Sequence, residues 1–282
     1  MACGSSLSRV AFRKNGYAIA RCLDCGHGWV SPFPGREELA ALYNEEFFEI
    51  AYFQDQDVRR KNFELWVRAI GMPPAGGRLV DVGCADGLFL EISAKEWDVR
   101  GIEISRFAAE SIRARLGIPV DVGELPDLSY PDGSFDVVTM WDVLEHVPNP
   151  DAYVRSAFRV LRPGGRVYIT TGDFDSGMAR VLGRKWRLIS PPFHLHFFSR
   201  RSMRRMLESA GFEVRTVETS GRYVTLRHLM FIGHSMTQLG LCRVLYERLR
   251  DSRIGKARLY VDVGDIMLVG ASRPEVPPGS AR

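Results

Sequence analysis

The chain has 282 residues, 45% hydrophobic and 26% charged; these proportions are ordinary for a soluble globular protein and allow one large domain plus an appendage. A net charge of +4 is too small to imply a nucleic-acid partner, and the uncharged stretch Leu229–Cys242, at 14 residues, is too short for a membrane-spanning helix, which needs about 20. Five cysteines (Cys3, Cys22, Cys25, Cys84 and Cys242) form an odd set, and Cys3 to Gly16 is mixed and polar rather than secretory, so a reducing, cytoplasmic setting is expected instead of a disulfide framework.

Residues 1–35 are rich in turn formers and short on helical periodicity. Cys22-x-x-Cys25-Gly26 reads as a knuckle whose tight turn aims two thiolates at one metal, with zinc the expected ion. Cys3-Gly4 has the form of the second half of another knuckle, whose first cysteine would fall one position before Met1. Cys3, Cys22 and Cys25 are therefore candidate zinc ligands, with His27 as a candidate fourth; the alternative is a knuckle of reduced thiols without metal. Residues 36–75 read as a helical cap, with Tyr43, Tyr52, Phe53 and Trp66 as aromatic candidates.

Residues 76–273 alternate strand and helix. Strands are predicted at 78–82, 98–102, 118–122, 135–140, 165–171 and 212–219, with a closing strand at 265–271. Ser105, Asn149-Pro150 and Ser199 read as helix starts. An inserted segment, 221–260, places Leu229, Ile232, Met236 and Leu239 on one helical face, as a lid or a homodimer surface. The Pro/Gly/Ser-rich tail 274–282 is expected to be disordered.

The most informative run is Leu79-Val-Asp-Val-Gly-Cys-Ala-Asp-Gly87, followed sixteen positions later by Glu103. An apolar strand enters a glycine turn, and a second strand ends in an acid able to accept both hydroxyls of a ribose. The spacing Gly83-x-x-x-Gly87 lacks the G-x-G-x-x-G that cradles a pyrophosphate, which disfavours a nicotinamide dinucleotide. Asp81 and Asp86 suit a ligand carrying an ammonium and a sulfonium. Here the chain resembles the Rossmann-like class I methyltransferases that use S-adenosylmethionine (SAM). Asp132-Gly-Ser-Phe-Asp136 through Val147, and Val160-Leu-Arg-Pro-Gly-Gly165 through Ile169, match further segments of that family in order. The N-terminal cysteines resemble a zinc-binding segment that some of its members carry. Ala85 departs from the family, many members of which have glycine there.

The resemblance implies an α/β fold: a seven-stranded, mostly parallel sheet with helices on both faces, the Cys-containing segment ahead of it and the insertion before the last strand. It also implies cofactor contacts. Asp81, Gly83, Cys84, Ala85 and Gly87 would form the loop, Glu103 would take the ribose, Ile104, Glu124 and Leu125 would border the adenine, and Met140 and Trp141 would floor the methyl site. Asp142, Glu145 and His146, at i, i+3 and i+4, could hold a divalent ion such as Mg2+ if the segment is helical, and ubiquinone-pathway O-methyltransferases have a similar run. Between the fifth strand and the next helix, Pro191-Pro-Phe-His-Leu-His-Phe-Phe-Ser199 offers His194 and His196 on one side if extended, as candidate general bases with His146 next in line. The expected activity is methyl transfer to a small-molecule acceptor, at oxygen. The alternatives are an RNA or protein methyltransferase and a non-catalytic SAM-binding scaffold. Seven arginines (Arg200, Arg201, Arg204, Arg205, Arg215, Arg222 and Arg227) read as a solvated, ligand-steering face rather than a nucleic-acid patch.

Overall fold

The computed structural model describes residues 3–35, 38, 39, 56–237 and 240–275, with side chains omitted at 235–237. Tyr43, Tyr52, Phe53 and Leu239, the side chain of Met236, and the tail beyond 275 lie outside that set.

A seven-stranded sheet forms the centre. Its strands are β4 (Arg78–Val82), β5 (Asp98–Glu103), β6 (Val120–Val122), β7 (Phe135–Trp141), β8 (Leu161–Gly172), β10 (Glu213–Thr219) and β13 (Ile266–Ser272). Their spatial order is β10-β13-β8-β7-β4-β5-β6, with β13 antiparallel to both neighbours. The connections leave β4 toward β5 on one side and return to β7 on the other. The switch point of the topology therefore lies at the carboxyl ends of β4 and β7, where open α/β sheets bind ligands. β4 and β7 read as nearly unbroken apolar runs because both their faces are buried.

Helices α1 (Gln56–Ile70), α2 (Leu88–Ser93) and α3 (Arg106–Leu116) bury Trp66, Ile70, Phe89 and Ile112 in one core. Helices α4 (Pro150–Val160) and α6 (Arg200–Ser209) bury Val154, Ala157, Met203 and Leu207 in the other. The predicted caps form: Ser105, Asn149 and Ser199 accept hydrogen bonds from Ala108, Ala152 and Ser202 amides. Short helix α5 (Gly177–Leu182) precedes the loop that carries His194.

Residues 8–31, in which no regular element was predicted, form three antiparallel strands, β1 (Ser8–Lys14), β2 (Tyr17–Cys22) and β3 (Gly28–Ser31). A fourth strand, β9 (His196–Phe197), comes from the main domain and pairs with β3. A third core of Ile19, Val30, Phe174, Trp186, Ile189 and Phe197 joins this small sheet to the domain. The insertion is only partly helical. It opens and closes with a hairpin, β11 (Arg222–Thr225) and β12 (Arg258–Val261), that flanks α7 (Leu226–Thr237) and α8 (Gly240–Leu249).

Candidate active site

The turn after β4 runs through left-handed conformations at Gly83 (φ 72°), Ala85 (φ 52°) and Gly87 (φ 77°). A Cβ at Gly83 would sit 2.9 Å from Val143, so this position needs glycine for space as well as for φ. Ala85 holds a left-handed conformation with its methyl group, a cost of about 1–2 kcal/mol. The turn is tied to β5: Gly83 and Cys84 amides donate to the Ile102 carbonyl at 2.8 and 3.1 Å. Glu103, buried at the end of β5, accepts from the Ala85 amide at 2.8 Å and the Ser105 amide at 3.0 Å. Each carboxylate oxygen keeps a further lone pair for a hydroxyl. Ile104 beside it is exposed, and Leu125 is fully buried. Glu124 accepts from the Tyr153 hydroxyl at 2.8 Å.

The two loop acids differ in what they have left to offer. Asp86 is bound by both ends of the Arg59 guanidinium, at 2.5 and 2.9 Å, so it locks α1 onto the loop. Asp81 is buried and accepts from Thr139 Oγ1 at 2.6 Å. Burial pushes its carboxyl up to about 8, against a smaller lowering by Thr139. Only Asp81 is placed to gain from a cationic ligand. Met140 is sealed in the core with no exposure, whereas Trp141 caps the strand and stacks on Trp66 at 4.7 Å.

The segment after β7 corrects the expected Asp142/Glu145/His146 grouping. It is a turn, not a helix, and Asp142 sits in a left-handed conformation (φ 54°). The Asp142 carboxylate takes Arg222 Nη2 at 2.8 Å and Thr170 Oγ1 at 2.9 Å. The Arg222 guanidinium holds it ionised, below the usual carboxylate range, despite burial. Arg222 comes from the inserted hairpin, eighty positions away; it was read only as one of seven arginines on a solvated face, and nothing local marked its pairing with Asp142. The groups that do converge are Glu145, His146 and His194, whose ligand atoms lie within 4.8 Å of one another. The His146 and His194 rings meet edge to face at 4.7 Å. His146 Nδ1 donates to the Phe193 carbonyl at 2.9 Å and His194 Nδ1 to the Leu188 carbonyl at 2.7 Å. That fixes the tautomers and leaves the lone pair of each ring on Nε2. Burial pushes His194 down to about 3 and lowers His146, so both are neutral at pH 7. Burial and Asp142 push Glu145 up, and its Oε2 has no hydrogen-bond partner among the described residues.

His196 does not share the side of His194. The chain is turned, not extended, at 191–193, and only residues 196–197 are strand. His196 Nε2 reaches the Pro148 carbonyl at 3.4 Å, and its Nδ1 accepts from His27 Nε2 at 3.1 Å. The pair lines a separate cavity of about 210 Å³ with Trp29, Phe33 and Met206. His27 is thereby removed from the thiols. Cys3, Cys22 and Cys25 do cluster, with Cys3 Sγ 3.5 Å from Cys22 Sγ, and all the described cysteines are unbridged. Amides of Asp24 and Cys25 point at the Cys22 sulfur and lower its pKa against the effect of burial. Of the seven arginines, four (Arg200, Arg204, Arg215 and Arg222) are paired with Asp173, Glu208, Glu213 and Asp142. No helix among the described residues is long and apolar enough to cross a membrane.

Comparison with known proteins gives the same region of the chain. The ubiquinone biosynthesis O-methyltransferase of Ralstonia nicotianae is 35% identical over 156 residues, 52% of this chain and 64% of that protein. The 27-O-demethylrifamycin SV methyltransferase of Amycolatopsis mediterranei is 38% identical over 149 residues, 48% of this chain and 54% of that one. The chain thus spans less than two thirds of the length of these relatives. Geranyl diphosphate C-methyltransferase of Streptomyces coelicolor shares the fold at a TM-score of 0.54 and 17% identity, over 85% of this chain and 89% of that one. The [4+2]-cyclase SpnF shares it at 0.52 and 20%, over 76% and 80%. The family model for a methyltransferase domain matches residues 54–217, the stretch that carries the glycine turn, Glu103 and the Glu145–His146–His194 cluster, and the chain belongs to that family, with the class I fold.

Proposed function

We propose that the protein transfers a methyl group from SAM to an oxygen of a small-molecule acceptor. The observation that carries this reading is the buried Glu103 carboxylate fixed against the glycine turn at the topological switch point, beside the polar cluster at the end of β7. The residues present fit the cofactor: Glu103 retains acceptor lone pairs for two hydroxyls, and no cation among the described residues faces the buried Asp81. When bound there, SAM supplies an electrophilic methyl group. The remaining work is positional. His194, neutral and with Nε2 carrying its lone pair, receives the acceptor's proton, and His146 orients it through the edge-to-face contact. The relatives named as O-methyltransferases support oxygen as the acceptor atom.

Two metal readings are proposed beside this one, the first as an alternative to proton transfer, since an ion would take the His194 Nε2 lone pair. Glu145, His146 and His194 offer one carboxylate and two imidazoles. That set suits a transition-metal ion better than Mg2+, which prefers oxygen. Cys3, Cys22 and Cys25 offer three thiolates suited to zinc.

The test is calorimetric titration of the full chain with SAM, with NADH as control and metal content measured on the same sample. Micromolar SAM binding without NADH binding is the expected result. A folded sample that binds no SAM refutes the reading.

A further inference from the structure

Seven ionisable side chains gather near the ends of β7 and β8: the pair Asp142–Arg222, the pair Arg187–Asp265 and the cluster Glu145–His146–His194. Burying that many charges is costly unless each is paired, yet the pairing is incomplete on the cationic side. Arg222 gives Nη2 to Asp142 at 2.8 Å, while its buried Nε has no hydrogen-bond partner among the described residues. Arg187 stands 3.8 Å from Asp265 Oδ2, beyond hydrogen-bond reach, and that oxygen already accepts from Trp186 Nε1 at 2.9 Å. The two side chains keep 24% and 33% of their exposure, with the Arg222 Nε itself closed to solvent behind them. Each guanidinium edge is a planar fork that matches a planar oxyanion.

The fork is held rigidly. The Arg222 guanidinium lies 5.3 Å from the Trp66 ring centroid. The next residue, Tyr223, exchanges two hydrogen bonds with the Asn62 side chain, at 2.6 and 3.1 Å. The hairpin is thereby fastened to α1, and a side chain from the insertion is set above the end of β7.

We propose that Arg222 and Arg187 together bind an oxyanion of the methyl acceptor, a carboxylate or an ionised phenol. The insertion before the last strand then supplies a substrate-recognising residue rather than only a cover. This rests on the methyl-transfer reading for the word acceptor, but the anion site itself can be read without it.

The experiment is calorimetry of the full chain, with and without saturating S-adenosylhomocysteine, using benzoate, 4-nitrophenolate at pH 8 and the neutral isostere benzamide. The wild type is expected to bind an oxyanion probe roughly tenfold or more tightly than benzamide. Whichever of the two oxyanions binds names its source. Arg222→Gln and Arg187→Gln should each abolish the preference. Arg222→Lys keeps a cation opposite Asp142, and hence the fold, but deletes the Nε–H; it should abolish the preference as well. Equal or absent binding of all three probes by the wild type overturns the inference, as does a preference that survives in the arginine variants. SAM titrated into the same samples separates the claims. Oxyanion preference without SAM binding defeats the methyl-transfer reading and leaves the site standing. SAM binding without oxyanion preference defeats the site alone.

Discussion

Glu103 is the residue whose role follows most directly from its surroundings. It is legible in sequence as the acid ending the second strand, and the fold adds that it also ties down the Ala85 and Ser105 amides. Glu103→Ala removes hydrogen bonds to a charged acceptor worth about 1.5–3 kcal/mol each. The expected outcome is a fall in SAM affinity of roughly tenfold or more by calorimetry; unchanged affinity refutes the assignment. The two loop histidines were indistinguishable in sequence and are now separable. His194→Ala should lower methyl-transfer turnover with SAM affinity retained. His196→Ala should leave turnover near wild type and lower the unfolding midpoint, because it deletes the acceptor of the His27 Nε2–H. A turnover loss confined to the His196 variant would place the base in the wrong cavity.

At the level of elements, the small N-terminal sheet is held to the domain by an edge strand of two residues and by the shared core of Ile19, Val30, Phe174 and Trp186. Gly28 sits at that junction: a Cβ there would meet the Phe174 ring at 2.8 Å and Phe197 Cβ at 3.1 Å. Overpacking of this kind costs about 1–3 kcal/mol. Gly28→Ala should therefore lower the urea midpoint without changing SAM affinity, and an unchanged midpoint would mean that the β3–β9 contact does not report on global stability. The elements of the central sheet were legible because their signals are local. Strands at 78–82, 98–102 and 135–140 appear within a residue of their predicted ends, and three caps fall on the predicted residues. β1–β3 were missed because exposed and buried positions in so short a sheet alternate weakly. No local signal marks β9, which exists only because β3 pairs with it.

Across the whole molecule, buried acids and buried histidines act oppositely on stability. His27, His146, His194 and His196 have folded pKa values below 6.5, so each favours the unfolded state, which binds their protons, as pH falls below that value. Asp81 and Glu145, each raised to about 8, keep protons that the unfolded chain has already lost. Native protons exceed unfolded ones there, so stability declines with rising pH until the folded values are passed. Between about pH 7.5 and 8 the unfolded histidines have given up nearly all their protons, and the acids dominate the slope. The cofactor-free protein should lose stability across that window, by up to about 1.4 kcal/mol per pH unit for each such group. Asp81→Asn should reduce the slope. Denaturant titrations at about pH 7.5 and 8 check this, and a stability that rises between them contradicts the assignment.

The sequence by itself determined the fold class, the glycine turn and Glu103. The turn and Glu103 lie in one short run and the fold class in the strand–helix alternation of residues 76–273, where apolar runs, φ-permissive glycines and cap residues act through nearest neighbours. Only the tertiary structure decided which ionisable groups share a site. It withdrew Asp142 from the Glu145–His146 pair by giving it Arg222, drew His194 in, and sent His196 to His27. The reason is physical: the charge state and partners of a side chain depend on what burial brings within a few ångströms, and for Asp142 and Arg222 that neighbour is eighty residues away along the chain.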